Sequence, residues 1–113
     1  MRMWMVDPKK MCRKHLLGEH GELHKFLPGW RKQRSLTGYI LSNAIEPKSY
    51  KKRHNALVKE MKRRGYNHNS PLEQPDFSYI HPVEKRFEVN VTANEILLAE
   101  RCPECEKNIG LFM

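Results

Sequence analysis

PKKMCRKHLLGEHGELHKFLPG, residues 8–29, carries no proline between Pro8 and Pro28. Asp7 followed by Pro8 predicts a helix start, because an Asp side chain caps orphan N–H groups and proline fits the first helical turn. Pro28-Gly29 predicts the stop, so the first helix is expected from about Pro8 to Leu27. His15, Glu19, Glu22 and Phe26 fall at i, i+4, i+7 and i+11 and share one face. Leu16, Leu23 and Leu27 fall on the neighbouring face, the expected core side. Two carboxylates and an imidazole beside a buried face are costly unless they are paired or used. The partner expected for them is the chain's own N-terminus. There MRMWMV forms a short extended segment anchored by Trp4 and Met5, or simply a hydrophobic plug. Gly18 and Gly21 each weaken the helix by roughly 1 kcal/mol relative to Ala. They fit either close approach of a ligand backbone or close packing against another helix.

Outward from this helix, SYKKRHNALVKEMKRRG (residues 49–65) predicts a second one, with Ser49 as cap and Gly65 at the stop. Tyr50, His54, Leu57, Val58 and Met61 form its inner stripe. Lys51, Lys52, Arg53, Lys59, Lys62, Arg63 and Arg64 are expected around the outside. His54 reads as a core histidine rather than a ligand. Residues 67–81 read as loop, rich in Pro, Asn and Ser. Thr92-Ala93-Asn94-Glu95 fits a capping box opening a third helix, which Pro103 stops near Arg101. The fold class is all-α: one compact domain over residues 1–113, with three main helices and long connecting loops.

With 113 residues, 39% hydrophobic and 30% charged, the chain has one thin core and a large charged surface. The net charge of +8 points to an anionic partner. Residues 1–68 hold 17 Lys/Arg against 5 Asp/Glu, whereas residues 69–113 hold 4 against 8. The basic portion thus contains the His15/Glu22 helix. A basic ribosomal-type protein would share that charge. Arg31, Lys32 and Arg34, between Trp30 and Tyr39, suit phosphate contact with aromatic interleaving, or a solvated face. Three cysteines and no signal-peptide pattern read as reduced and cytoplasmic. No apolar run reaches membrane-spanning length, so no membrane partner is expected.

Cys102-Pro103-Glu104-Cys105 is a CxxC without a second pair. Structural zinc needs four ligands, and Cys12, His20 or His24 would have to complete the set. The alternative is a thiol pair with no ligand, and the expectation is no metal and no cofactor. His15, Glu19 and Glu22 could hold a divalent ion for hydrolysis, but no further Asp/Glu cluster completes an oxygen-rich site.

The stretch KHLLGEHGELHKF (residues 14–26) resembles the pyrimidine-dimer DNA glycosylases, also called dimer-specific endonuclease V, and so does SYKKRHNALVKEMKRRGYN (residues 49–67). Weaker similarity continues through NVTANEILLAERC (residues 90–102). That family has a nucleophilic N-terminal amine with an Arg next to it. A His lies 14 residues after the amine and a catalytic Glu 7 beyond the His. Met1, Arg2, His15 and Glu22 stand at those offsets without a gap. Arg2 is too large for ordinary removal of the initiator Met, so the amine concerned is that of Met1.

The resemblance implies a DNA glycosylase with AP-lyase activity, acting on double-stranded DNA as a cytoplasmic monomer without a metal. Met1 would attack C1′ of a deoxyribose and displace the base, leaving an imine. Glu22 would stabilise the cationic sugar and assist proton removal at C2′. An α-amine suits this role because its unperturbed pKa, about 7.7–8.0, lies far below that of lysine. Arg2, His15 and Lys25 would bind DNA near the lesion, with Arg31, Lys32, Arg34, Lys51, Arg53, Arg63 and Arg64 on flanking phosphates. The chain departs from the family at Gly21 and Lys25, where the family has Arg, and at CPECEKNIGLFM (residues 102–113), where it has an aromatic lesion-reading segment. A pyrimidine dimer is therefore the leading substrate, beside other damaged or modified bases. The rival readings are a non-enzymatic DNA-binding protein and a metal-dependent nuclease.

Overall fold

The computed structural model describes residues 1–68 and 70–110. Asn69, in the loop expected over 67–81, and Leu111, Phe112 and Met113, which end the CPECEKNIGLFM stretch, lie outside the described residues. Among the described residues the chain is helical and holds no strand. The helices are α1 (Arg13–Arg31), α2 (Thr37–Leu41), α3 (Tyr50–Arg63), α4 (Pro82–Lys85), α5 (Val91–Arg101) and α6 (Pro103–Ile109), with 3₁₀ turns at Pro8–Lys10 and Pro47–Ser49. The three main helices expected from the sequence are α1, α3 and α5, and three short ones add to them. Among the described residues no helix is long and apolar enough to cross a membrane.

The first helix starts later and ends later than its proline signals predict. Asp7 does cap, accepting from Lys9 N–H, but only a 3₁₀ turn follows. Met11 then turns extended (φ −84°, ψ 141°) and is fully buried. Cys12 becomes the N-cap of α1, its Sγ accepting from His15 N–H at 3.4 Å. At the other end Pro28 stays inside the helix, which runs on to Arg31. Proline in a helix interior costs about 3 kcal/mol. Continuing the helix buries Trp30 to 2% exposure, among Phe26, Tyr39 and Phe77. An aromatic of that size is worth roughly 4–6 kcal/mol on burial. Trp30 Nε1–H also donates to Tyr50 Oη, which donates to the Leu23 carbonyl at 2.6 Å.

Ser49 precedes α3 but does not cap it; its hydroxyl donates to buried Glu46 instead. In α5 the cap lies two residues before the expected Thr92: Asn90 Oδ1 accepts from Ala93 N–H at 3.0 Å. Pro103 stops α5 and also opens α6. The core forms where α1 packs on α3, with Leu16, Leu23, Leu27, Tyr50, Leu57 and Met61 between them. Met3, Trp4 and Val6 join it from the N-terminus, and Leu98 and Cys105 from the α5–α6 pair.

Candidate active site at the N-terminus

The N-terminal segment is fixed on both sides. Met3 and Val6 are fully buried, and Met3 N–H donates to the Ala44 carbonyl at 2.7 Å. Trp4 anchors the segment as expected, at 8% exposure, but Met5 is only partly buried, and the deeper anchors are Met3 and Val6. Between the buried residues Met5 takes φ 57°, a left-handed conformation uncommon for a non-glycine residue. Asn94 of α5, 1% exposed, donates from Nδ2 to the carbonyls of Trp4 (3.1 Å), Asn43 (3.2 Å) and Met3 (3.4 Å). Its Oδ1 accepts from the Arg2 guanidinium at 3.0 Å.

This anchoring sets the chain's first two nitrogens against one carboxylate oxygen. The Met1 α-amine lies 3.5 Å from Glu22 Oε2, and Arg2 N–H donates to the same oxygen at 3.0 Å. The Glu22 side chain is 43% exposed, so the carboxylate is held by the arm and still faces solvent. Gly21 and Gly18 on α1 are exposed, and a Cβ at either would meet nothing within 4 Å. Of the two explanations for these glycines, packing against another helix is excluded. The Arg2 guanidinium donates to the carbonyls of Ser42 (2.9 Å) and Asn43 (3.3 Å) and lies 5.4 Å from the Trp4 ring centroid.

His15 and Glu19 do not join the Glu22 cluster. His15 is half-buried, with its ring edge-on to Trp4 and Nδ1 3.2 Å from Cys12 Sγ and 3.7 Å from Cys105 Sγ. Burial, with Lys14 nearby, lowers its pKa and favours the neutral ring. Glu19 is 3% exposed and takes a two-point ion pair from Arg53, at 2.6 and 2.9 Å. Desolvation nevertheless pushes its carboxyl up, against the pull of Arg53. With Glu19 engaged by Arg53 and His15 turned to the thiols, the three-ligand face required by a metal-dependent nuclease is dismantled.

Arg53, expected outside and on DNA, is 4% exposed; it also donates to the Val6 carbonyl at 2.8 Å. The signal for this was in the sequence, since Arg53 lies three residues after Tyr50 and four before Leu57, on the inner stripe. Arg64, also expected on DNA, is half-buried and turned inward. Its side chain is 18% exposed and donates to Glu60 and to the carbonyls of Pro8 and Met11. Arg63 stays 60% exposed while pairing with Glu60, whose carboxyl the two arginines hold down at about 2. Lys51 pairs with Glu73 at 3.5 Å. Lys25, Arg31, Lys32 and Arg34 are exposed, leaving a cationic surface on the last turns of α1 and just beyond.

Asn94 is the residue that sequence reasoning missed. A buried polar side chain four residues before Leu98 on an otherwise apolar face was the available signal. Of the residues expected beside the CxxC, Cys12 lies there, joined by His15 rather than by His20 or His24, which meet His54 and His68 instead. No curated protein and no solved structure matches the chain. The sequence pattern that defines pyrimidine dimer DNA glycosylases does match, over residues 1–74, the part that carries Met1, Arg2, α1, Glu22 and α3. The chain belongs to the pyrimidine dimer DNA glycosylase family.

Proposed function

We propose that this member of the family excises a damaged pyrimidine, a pyrimidine dimer first, and then cleaves the strand as an AP lyase through the α-amine of Met1. The observation that carries the reading is the 3.5 Å approach of that amine to Glu22 Oε2. The neutral amine attacks C1′ while the glycosidic bond breaks, and the base leaves with the electron pair and takes up a proton. Opening of the sugar ring gives an imine between the Met1 nitrogen and C1′. Glu22 balances the positive charge that develops on the sugar and then accepts the C2′ proton. The C3′–O bond breaks by β-elimination, and water hydrolyses the imine to free the amine. The reading requires Met1 to be the first residue of the mature chain with its amine unblocked, which an intact mass checks.

The anchored arm supports the mechanism by removing conformational freedom from the nucleophile before DNA arrives. Exposed Lys25 and Arg31 on the same helix, with Lys32 and Arg34 just beyond its end, supply phosphate contacts. The exposed glycines beside Glu22 leave room for a sugar-phosphate backbone and a flipped nucleotide. Glu22→Gln tests the reading on duplexes carrying a thymine dimer, an abasic site or no lesion. Cleavage should fall by about 10²–10⁴-fold with DNA affinity retained. Equal cleavage by the variant would overturn the assignment. Tight binding with no cleavage by the wild type on any duplex would favour the non-enzymatic DNA-binding reading. Cleavage of abasic but not dimer DNA would keep the lyase and move the substrate to another damaged or modified base.

A further inference from the structure

We propose that Cys12, His15, Cys102 and Cys105 bind one zinc ion, which clips the α5–α6 pair onto the start of α1. All four donor atoms lie within 4.8 Å of one another. Cys12 Sγ is 3.8 Å from Cys102 Sγ and 3.2 Å from His15 Nδ1, and Cys105 Sγ is 3.7 Å from the same nitrogen. Tetrahedral zinc with bonds of about 2.3 Å to sulfur and 2.0–2.1 Å to nitrogen needs S···S near 3.8 Å and S···N near 3.6 Å. The cluster is thus already close to the size of a coordination shell. Backbone N–H groups point at the sulfurs as a thiolate requires: Cys12 N–H donates to Cys105 Sγ at 3.3 Å and His15 N–H to Cys12 Sγ at 3.4 Å. Cys12 and Cys105 are buried, and no disulfide joins the three thiols.

Four protein ligands would saturate the ion, so the site is structural rather than hydrolytic. Cys102 and Cys105 lie beyond residues 1–74, so this clip couples the part of the chain matched by the family pattern to the part that is not. Its consequence reaches the N-terminus through α5, because Asn94 on that helix holds the carbonyls of Met3 and Trp4. Coordination through Nδ1 would also fix the His15 tautomer with its proton on Nε2, a hydrogen-bond donor.

A second group carries a metal assignment on a different observation. The ring nitrogens of His20, His24, His54 and His68 converge within 4.8 Å, with His24 Nε2 3.1 Å from His54 Nε2. His20 Nε2 and His68 Nε2 are buried without any hydrogen-bond partner among the described residues, an unfavourable state that a bound cation would relieve. His54 Nδ1 lies 3.0 Å from Asn55 Oδ1, which holds the proton on Nδ1 and leaves Nε2 as an acceptor. Four neutral imidazoles suit a divalent first-row transition ion such as zinc, copper or nickel. Among the described residues this group is made of histidines alone, without a Cys, Asp or Glu.

Neither site depends on the proposed reaction, and both are tested without it. Untagged protein purified without chelator is assayed for metal by inductively coupled plasma and native mass spectrometry. Two ions per chain are expected. Cys102→Ser with Cys105→Ser should remove one, and His20→Ala with His68→Ala the other. Because a variant can fail to fold, cobalt(II) is also titrated into metal-stripped wild type. The Cys/His site should give sulfur-to-cobalt charge-transfer bands, and the histidine site tetrahedral visible bands without them. A protein that takes up no cobalt, with three thiols free to a thiol reagent or two joined as a disulfide, would overturn the first site. Metal retained after the histidine substitutions, at two ions per chain, would overturn the second.

Discussion

Glu19 and Glu22 stand one helical turn apart on α1 in opposite surroundings, and the proposed mechanism assigns them opposite roles that substitution separates. Glu19→Gln leaves the Arg53 guanidinium, 4% exposed, without its counter-charge. Removing one partner of a buried ion pair costs about 3–5 kcal/mol. For a chain of this length the unfolding entropy makes 1 kcal/mol worth about 4 °C in Tm, so the melting temperature should fall by roughly 12–20 °C. Glu22 is 43% exposed, and among the described residues its hydrogen-bond and ion-pair partners are the two N-terminal nitrogens, both at Oε2. Glu22→Gln should therefore move Tm by no more than about 2 °C. Cleavage of abasic DNA should show the reverse order, falling about 10²–10⁴-fold in Glu22→Gln. Glu19→Gln should keep its rate at temperatures where it is folded. Differential scanning fluorimetry, circular dichroism and a gel cleavage assay on the two variants give the four readings. A Glu19→Gln protein that melts like wild type, or a Glu22→Gln protein that cleaves like it, would refute the division of roles.

Three further outcomes follow from other contacts. Gly21→Ala should raise Tm by about 4 °C, since the site is exposed helix with open space for a Cβ, and should weaken DNA binding by anisotropy; unchanged affinity would mean that no backbone approaches there. Glu60, 4% exposed and held at about 2 by Arg63 and Arg64, has a folded pKa below its unfolded value, so its contribution is present above about pH 4.5 and lost as pH falls toward 2. The stability difference between wild type and Glu60→Gln should accordingly shrink by roughly 2–3 kcal/mol across that window, and a difference independent of pH in denaturant titrations would contradict the pairing. Asn94→Ala should cost about 1–3 kcal/mol by freeing the carbonyls of Trp4 and Met3, and should lower kcat more than DNA affinity, because it loosens the arm rather than the cationic surface.

The helices were legible in the sequence because apolar periodicity is a local signal, and α1, α3 and α5 arise where it predicts. Their ends were less so. Pro28 reads as a stop until Trp30 is seen buried on three aromatic neighbours, an energy that no local rule contains. Cys12 caps α1 only because Met11 is drawn into the core first. Arg53 was misread through its charge, although its spacing from Tyr50 and Leu57 put it on the inner stripe. The pairing of Met1 with Glu22 was implied by the resemblance to the pyrimidine-dimer DNA glycosylases, whose offsets the first 22 residues match. By contrast, Cys102 meets Cys12 across 90 residues of chain, and Asn94 meets Arg2 across 92, so no spacing rule could bring them together.

Borohydride trapping tests the central claim most directly. Untagged protein, confirmed by intact mass to begin at an unmodified Met1, is incubated with duplex DNA carrying an abasic site or a thymine dimer. Sodium borohydride then reduces any imine, and the cross-linked peptide is sequenced by mass spectrometry. The account predicts a covalent adduct on the α-nitrogen of Met1. An adduct on a lysine side chain, or no adduct while the DNA is bound and cleaved, would contradict it.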